Sequence, residues 1–290
     1  MSLRVITARL NGTPGDGPVL AGALALSQAF EGHIDAVFSR PDPREVVAAL
    51  DDGVYPGFYD EMLSAMEREW TDVANKCLKH FEKWRTANGI RQAAKPDGGV
   101  GATAEFRESA GDESESIGHK GHVCDIIVAA LPAKKLEKGQ DPGFEVGLLD
   151  TGRPLLLVPA GTHNSLTSGK VLIAWNGSAE ATRAVAAAMP ILIRAAEVDI
   201  FTAPEGDGDT GAAQGLAAYL KWHGVDAKIL DQASSGGEGV EERLMNAVKK
   251  SKANLLVMGA YTHSRLRELI FGGVTRHILA HAHLPVLMAH

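Results

Sequence analysis

Short apolar runs alternate with longer stretches of helical periodicity in the second half of the chain. Strands are predicted at Lys170–Trp175, Val198–Thr202, Ala227–Leu230, Leu255–Gly259 and Pro285–Ala289. Helices are predicted between them, at Ala179–Ile193, Gly211–His223, Val240–Ser251 and Val274–Ala282. Because the strand runs are almost continuously apolar, helices should cover both faces of the sheet. The alternation therefore predicts an α/β fold with an open parallel sheet and right-handed crossovers.

The same order of elements occurs in both halves of the chain. In the first half, the apolar run Arg4–Leu10 leads into Asn11 and Gly12 and then into an alanine-rich helical stretch. The second half repeats this order with Lys170–Trp175, and its counterparts of the two loop residues are Asn176 and Gly177. Such self-similarity indicates a duplicated fold. A polar segment before residue 170 separates the copies, which predicts domains over residues 1–164 and 165–290.

The first half departs from this plan in its connecting segments. Apolar residues recur every three or four positions across Tyr59–Asn88, which predicts a long amphipathic helix. Its stripe is predicted to cover the sheet, and the alternative is a face that binds a partner. Two Gly- and Ser-rich segments, Lys95–Gly101 and Ala110–Gly121, are predicted to be loops, the second with a short remnant of a helix. In the second half, the helix Val240–Ser251 takes the corresponding place.

Composition narrows the class of protein. The 290 residues, 45% of them apolar, suffice for two ordinary cores. A net charge of −7 argues against a protein built to bind nucleic acid or an anionic membrane. The N-terminus leads directly into a strand, without the pattern of a signal peptide, and no apolar run reaches the length of a membrane span. With only Cys77 and Cys124, the expected location is the cytoplasm with both thiols reduced.

Two loops of the second half should lie at the ligand-binding edge of the sheet. Open parallel sheets bind ligands beyond the carboxyl ends of their strands, near the point where the strand order reverses. The first loop contains Asn176, Gly177 and Ser178, and Ser178 is predicted to cap the following helix. The second loop begins at Gly259, where the missing side chain would let a ligand approach the backbone.

The second loop ends in a glycine pair that precedes a helix. The free amides of Gly272 and Gly273 could cradle an anion at the positive end of that helix. Other candidate binding residues in this loop and in the first helical turn are Thr262, Ser264, Arg265, Arg267, Val274 and Thr275. The hydroxyl and guanidinium groups among them are the donors that phosphate groups attract.

The spacing Gly259-x2-Thr262-x9-Gly272-Gly273, followed by a helix and the strand Pro285–Ala289, resembles the signature of the universal stress protein family. Nucleotide-binding members of that family have Gly-x2-Gly-x9-Gly-Ser/Thr. The resemblance implies two tandem five-stranded sheets of the Rossmann-like, adenine nucleotide alpha-hydrolase-like fold, with strand order 3-2-1-4-5. It also implies pairing of the two halves through their edge strands, and a role in stress response or regulation.

The resemblance implies ATP, ADP or AMP as the ligand of the second domain, with no metal beyond Mg²⁺ that accompanies the nucleotide. Three positions depart from the family pattern. Thr262 replaces the second glycine, Gly273 replaces the hydroxyl residue, and Asn176 stands in place of the usual acid. The corresponding loop of the first half, Leu131–Gly143, lacks the spacing, so that domain is predicted to bind no nucleotide in the family's manner.

Three functional hypotheses therefore remain. The first is a stress-response protein whose second domain holds adenine nucleotide. The second is a protein-interaction module without nucleotide, which acts through a surface such as the Tyr59–Trp84 helix and which an unknown protein or a second copy of the chain would bind. The third is an ATP-cleaving enzyme of a related fold, which is disfavoured because no general base or metal-binding acid is evident near the loops.

Two further motifs have simpler interpretations. Ser234–Gly239 resembles the phosphate loop of ATP pyrophosphatases, but it lacks the following Asp-Ser and comes after a later strand, which favours an ordinary loop. His277 and His281 have the i, i+4 spacing of metal ligands, with His283 close by. Without a companion cysteine or carboxylate, they are interpreted as surface or capping histidines at the end of a helix.

Overall fold

The computed structural model describes residues 2–40, 43–44, 56–96, 98–111, 113–132, 141–161, 166–203, 210–230, 239–260 and 273–290. The strands in these ranges are β1 Val5–Leu10, β2 His33–Arg40, β3 Arg91–Gln92, β4 Thr103–Ala110, β5 Ile126–Ala130, β6 Leu155–Val158, β7 Lys170–Ala174, β8 Glu197–Phe201, β9 Ala227–Ile229, β10 Leu255–Gly259 and β11 Val286–Ala289. The helices are α1 Asp16–Phe30, α2 Pro56–Ala87, α3 Glu113–His122, α4 Pro142–Leu149, α5 Ala179–Leu192, α6 Thr210–Trp222, α7 Val240–Ser251 and α8 Gly273–His281.

The strands join into one sheet with the order β3-β4-β2-β1-β5-β6-β11-β10-β7-β8-β9. Every neighbouring pair is parallel except β6 and β11, which are antiparallel. If β3 is set aside, each half has the order 3-2-1-4-5, so the α/β fold and the duplicated order of elements are confirmed. Residues 162–165, at the predicted domain boundary, lie outside the described residues, and that boundary stays a prediction.

Two expectations about the sheet need correction. The halves do not form two separate sheets, because β6 and β11 pair: Leu156 lies opposite Leu287 in a ladder that satisfies the backbone groups of both edges. This ladder confirms the expected pairing of the edge strands. The described part of the first half also contains six strands and not five, since the two-residue strand β3 pairs with β4 at the outer edge.

A helix, not a loop, follows β4. The sequence suggested only a remnant here because Gly118 and Gly121 weaken the helical pattern. In the structure, α3 packs against α4 and the sheet, with Ile117 fully buried beside Phe144. A side chain at Gly121 would collide with Thr151, so the glycine that lowers helix propensity is what lets the helix approach its neighbours.

Two apolar layers cover the sheet, and each continues across the junction of the halves. On one face, side chains of α1, α2, α5 and α6 form one cluster with the inner strands. On the other face, α3, α4, α7 and α8 contribute to a second cluster. Leu156, Val158 and Leu287 extend the first cluster through the β6–β11 pair. The two halves therefore share their core.

The apolar stripe of α2 covers the sheet along the second part of the helix. Cys77 and Phe81 are buried, and the Phe81 ring lies 5.7 Å from the ring of Phe106 on β4. Trp70, Val73 and Trp84 pack against the same cluster. The predicted covering role is thus confirmed for this part of the helix, whereas residues 59–66 are half-buried or exposed and lie outside the cluster. None of the described helices is long and apolar enough to span a bilayer.

Replacement of Leu287 tests whether the junction stabilises the whole molecule. Leu287 is fully buried and faces Leu156 across the antiparallel pair. Leu287→Ala should lower the free energy of unfolding by about 2–5 kcal/mol, because it leaves a cavity in the shared core. Denaturant unfolding followed by circular dichroism measures the change. Val123→Ala, at a side chain that is 69% exposed, is the matched control and should change the stability by less than about 0.5 kcal/mol. Equal effects of the two substitutions would contradict a shared core.

Candidate functional site

The carboxyl ends of β7 and β10 form the crevice expected of this topology. The two strands are parallel neighbours, with Ala174 opposite Met258 near their ends. The helix after β7 is α5, which packs on one face of the sheet, and the described helix after β10 is α8, which packs on the other. Chains that leave adjacent strands toward opposite faces open a crevice between them, and ligands of open α/β sheets bind there.

The first loop at this crevice is held by its own hydrogen bonds. The side-chain oxygen of Asn176 accepts a hydrogen bond of 3.1 Å from the Ser178 amide. Gly177 has a φ of 72°, a left-handed conformation that glycine adopts without strain. Ser178 caps α5, since its hydroxyl accepts a 3.1 Å hydrogen bond from the amide of Ala181. The predicted cap is confirmed, and the loop presents exposed Asn176 and Gly177 at the crevice.

Gly259 brings the end of β10 against the start of α5. A Cβ atom at this position would lie 2.5 Å from the Ala181 amide nitrogen and 2.8 Å from the carbonyl carbon of Glu180. The sequence assigned the missing side chain to the approach of a ligand. The structure gives it a packing role, because the first turn of α5 already occupies the space. A contact of Gly259 with a ligand stays a prediction.

The beginning of α8 leaves one of the predicted residues open. Gly273 is exposed, and a Cβ atom there would meet none of the described residues within 4 Å. Val274 packs against the core, and Thr275 is only 5% exposed. Gly273 is therefore the position in this turn that a ligand could approach. The predicted binding residues Thr262, Ser264, Arg265, Arg267 and Gly272 lie outside the described residues.

The histidines after this turn contact each other at the end of α8. The rings of His277 and His281 stack with their centroids 4.3 Å apart, and Nδ1 of His281 lies 2.9 Å from the carbonyl oxygen of His277. This contact fits the interpretation of helix-end histidines. No group of three or more potential metal ligands occurs within the described ranges.

At the corresponding edge of the first half, an acid occupies the loop. The two carboxylate oxygens of Asp16 accept hydrogen bonds of 2.9 Å from the amides of Asn11 and Gly12. Burial raises the pKa of Asp16, although these amide hydrogen bonds act in the opposite direction. The amides that follow β1 are thus directed at the protein's own carboxylate.

Helix α2 covers the same loop. A Cβ atom at Gly12 would lie 2.5 Å from Cγ1 of Val73, so the helix lies directly on the loop. The Cys77 thiol donates a hydrogen bond to Asp16 at 3.6 Å. Burial, together with the adjacent Asp16, raises the pKa of Cys77 to about 12. The thiol therefore stays protonated and covered.

A second charged pair lies beside this closed loop. Arg9 is 6% exposed and donates to the two carboxylate oxygens of Asp141 at 3.0 and 2.5 Å. Asp141 also caps α4 by accepting from the Phe144 amide at 3.0 Å. Sequence reasoning missed this pair. The signal was a charged residue inside an otherwise apolar strand, because a buried arginine requires a partner. The equivalent position in the second half is Ala174.

Residues 167–290, in the second half of the chain, match the universal stress protein family. This half of the chain belongs to the universal stress protein family. The predicted resemblance of this half to that family is thus confirmed. A universal stress protein of Synechocystis sp. is 29% identical to this chain over 142 residues. The match covers 47% of this chain and 46% of the relative, so the chain spans less than half of that relative's length.

Solved structures extend the similarity in fold to the first half. A universal stress protein from Archaeoglobus fulgidus superposes with a TM-score of 0.67 at 17% identity, covering 100% of this chain and 99% of the other. A putative universal stress protein from Pseudomonas aeruginosa gives a TM-score of 0.52 at 14% identity, covering 98% and 92% of the two chains. At these identities the likeness concerns the fold alone.

Gly259→Ala tests the packing of β10 against α5. The added methyl group would overlap the backbone of Glu180 and Ala181, so the free energy of unfolding should fall by about 1–3 kcal/mol. Gly273→Ala is the matched control, because its methyl group meets open space. It should change the stability by less than about 0.5 kcal/mol in the same denaturant experiment. If Gly259→Ala were as stable as this control, the close approach of α5 would be wrong.

Labelling of Cys77 tests the closure of the first half. N-ethylmaleimide reacts with the exposed thiolate, and Cys77 is buried with a pKa of about 12. In the native protein, Cys77 should remain unlabelled over a period in which denatured protein reacts completely. Mass spectrometry of proteolytic peptides measures the extent at each cysteine. Labelling of native Cys77 at the denatured rate would show that α2 does not cover the loop at Gly12.

Proposed function

We propose that this protein acts in stress response as a binding protein, and that its second half binds an adenine nucleotide in the crevice between the ends of β7 and β10. The observation that supports the proposal is the position of the first loop and the α8 terminus on either side of this crevice. The Asn176–Ser178 loop is exposed, and Gly273 faces open space at the amino end of α8. Backbone amides at a helix start attract phosphate groups.

Each part of the nucleotide has a candidate partner. The amide of Gly273 and the positive end of α8 would receive phosphate, with Mg²⁺ bound by the phosphates themselves. Asn176 and Ser178 would line the adenosine side. The carboxamide of Asn176 can donate to ribose hydroxyls, but it lacks the charge of the acid found at this place in the family, so binding should be weaker than with an acid. The first half, whose loop is closed by Asp16 and α2, is assigned no nucleotide.

The proposal includes the cytoplasm as the location. Cys77 and Cys124 are free buried thiols, as expected in a reducing compartment. The β6–β11 pair already provides one chain with a junction between two similar halves. The hypothesis also includes association with further copies of the chain and with a protein partner that responds to the nucleotide. No contact described above is assigned to either of them.

The second candidate function is protein interaction without nucleotide. The feature that favours it is the first part of α2, where Tyr59, Met62, Leu63 and Met66 form an apolar stripe that is only half-buried. Apolar side chains left at a surface are typical of contact sites for other proteins. This function would not require the crevice at β7 and β10, so nucleotide titration separates the two candidates.

A thermal-shift series with ATP, ADP and AMP tests the nucleotide site. A ligand that binds only the folded state raises the melting temperature as its concentration rises. Gly273→Val should abolish the shift, because its side chain would project into the phosphate position without touching the described residues of the fold. Gly215→Val is the matched control: Gly215 lies within α6, and a Cβ atom there also meets none of the described residues within 4 Å. This control should keep the shift.

Absence of any shift at millimolar nucleotide would reject the proposed ligand and favour the interaction function. An undiminished shift in Gly273→Val would reject the assigned site even if nucleotide binds elsewhere.

A further inference from the structure

The first half contains a cavity beside its outer strands β3 and β4. Strand β3 pairs in parallel with β4, so the ten residues 93–102 must return along the sheet before β4 can begin. Gly98 and Gly101 have φ angles of 70° and 94°, which glycine adopts without strain. The described residues of this segment, 93–96 and 98–101, are called here the glycine loop and form one wall of an open cavity of about 380 Å³.

Polar side chains of β2 and β4 form the floor of this cavity. Alternate residues of β2, such as Ile34 and Ala36, point into the core on the opposite face of the sheet. The cavity face instead carries His33 and Asp35 from β2, with Thr103 and Arg107 from β4. These side chains are linked to one another: Nδ1 of His33 lies 2.8 Å from the Thr103 hydroxyl, and Arg107 donates to Asp35 at 2.5 Å.

Arg107 also connects the floor to the glycine loop. Its second terminal nitrogen donates to the carbonyl oxygen of Ala94 at 3.3 Å. Lys120 approaches Asp35 from α3, with 3.7 Å between its amine and the carboxylate. Burial alone would raise the pKa of Asp35, but hydrogen bonds from His33 and Arg107 and the nearby positive charges lower it below the ordinary value. Asp35 is therefore ionised at neutral pH and holds Arg107 in place.

The charges around the cavity are predominantly positive. Its described lining includes four cations, Arg4, Arg91, Lys95 and Arg107, and two carboxylates, Glu31 and Asp35, which leaves a net charge of +2. Asp97, in the same segment, lies outside the described residues, and counting its charge as well still leaves the set positive. Arg91 and Lys95 are exposed at the mouth of the cavity.

The second half pairs its equivalent buried acid with a different cation. Asp199 pairs in register with Leu172 of β7 as Asp35 pairs with Thr7 of β1, so the two buried acids are structurally equivalent. Lys170, on the adjacent inner strand, satisfies Asp199 at 2.9 Å. In the first half the cation comes from the outer strand, and the outer strand carries the glycine loop. The arrangement around Asp35 therefore goes beyond what a buried acid needs.

We propose that this cavity, between the glycine loop and the floor His33–Asp35–Arg107, binds a small phosphorylated compound. Arginine side chains match the geometry of phosphate oxygens, and glycine-rich turns present backbone amides to anions. The volume lies in the range of small-molecule sites. The cavity is at the amino ends of β1, β2 and β4, in the half of the chain to which no nucleotide is assigned, so the proposal does not depend on nucleotide binding by the second half.

Titration of the full-length protein with inorganic phosphate and with glycerol phosphate tests the proposal. Backbone ¹H–¹⁵N NMR spectra should show saturable shifts at the amides of Gly98, Gly99 and Gly101, while Asn176 and Gly177 remain unchanged. The double variant Arg91→Gln/Lys95→Gln removes two exposed cations of the lining and leaves the Asp35–Arg107 pair intact. Its affinity should be about tenfold lower, as expected from the loss of charge-assisted hydrogen bonds. Stronger binding of glycerol phosphate than of phosphate would indicate an organic ligand, and the reverse would indicate phosphate itself.

The matched control is Lys228→Gln, which removes an exposed lysine from the outer strand β9 of the second half. This variant should bind both probes as the native protein does. Unchanged spectra at millimolar probe would overturn the proposal. So would equal affinity of the double variant and the native protein, or shifts confined to Asn176 and Gly177.

Discussion

The antiparallel pairing of β6 with β11 is the contact on which the rest of the structure depends. Strands β6 and β11 are short, apolar and buried. Without their pairing, each half would end in a strand whose outer backbone groups have no partners, and exposed edges of this kind favour aggregation. Pairing the two edges satisfies these groups and joins the cores on both faces of the sheet. Because the junction is antiparallel, the strands of the two halves run in opposite directions. The amino ends of β1, β2 and β4 therefore lie along the same edge of the sheet as the carboxyl ends of β7 and β10.

The two halves use equivalent loops for different purposes. In the loop after β7, Asn176 and Gly177 are exposed. After β1, the equivalent amides of Asn11 and Gly12 are bound by Asp16, and α2 covers them. A buried carboxylate that accepts two amide hydrogen bonds occupies the place where an external anion would bind. The loop of the first half is thus closed by the protein's own carboxylate and by α2, whereas the equivalent loop of the second half stays exposed.

Much of the fold could be predicted because its signals are local. Apolar runs and helical periodicity are read from neighbouring residues, and the repeated Asn-Gly step after Arg4–Leu10 and Lys170–Trp175 revealed the duplication. Strand β3 was not predicted, and helix α3 was predicted only as a short remnant, because tertiary contacts stabilise both. Strand β3 has only two residues, and α3 depends on Ile117 and on the fit of Gly121 against Thr151. The site was harder to predict for the same reason. A glycine at the end of a strand looks the same in the sequence whether a ligand or a helix needs the space beside it. At Gly259 the helix α5 occupies that space.

The equivalent acids Asp35 and Asp199 show how the duplicated framework can acquire a new site. A buried carboxylate must be paired, but the framework does not determine which strand provides the cation. In the second half, Asp199 pairs with Lys170 on the inner strand. Pairing with Arg107 draws the outer strand β4 into the network, and Arg107 in turn holds the glycine loop through Ala94. The side chain that neutralises Asp35 thereby fixes one wall of a positively charged cavity. The different partner of this one buried acid thus links a structural ion pair to the proposed binding surface.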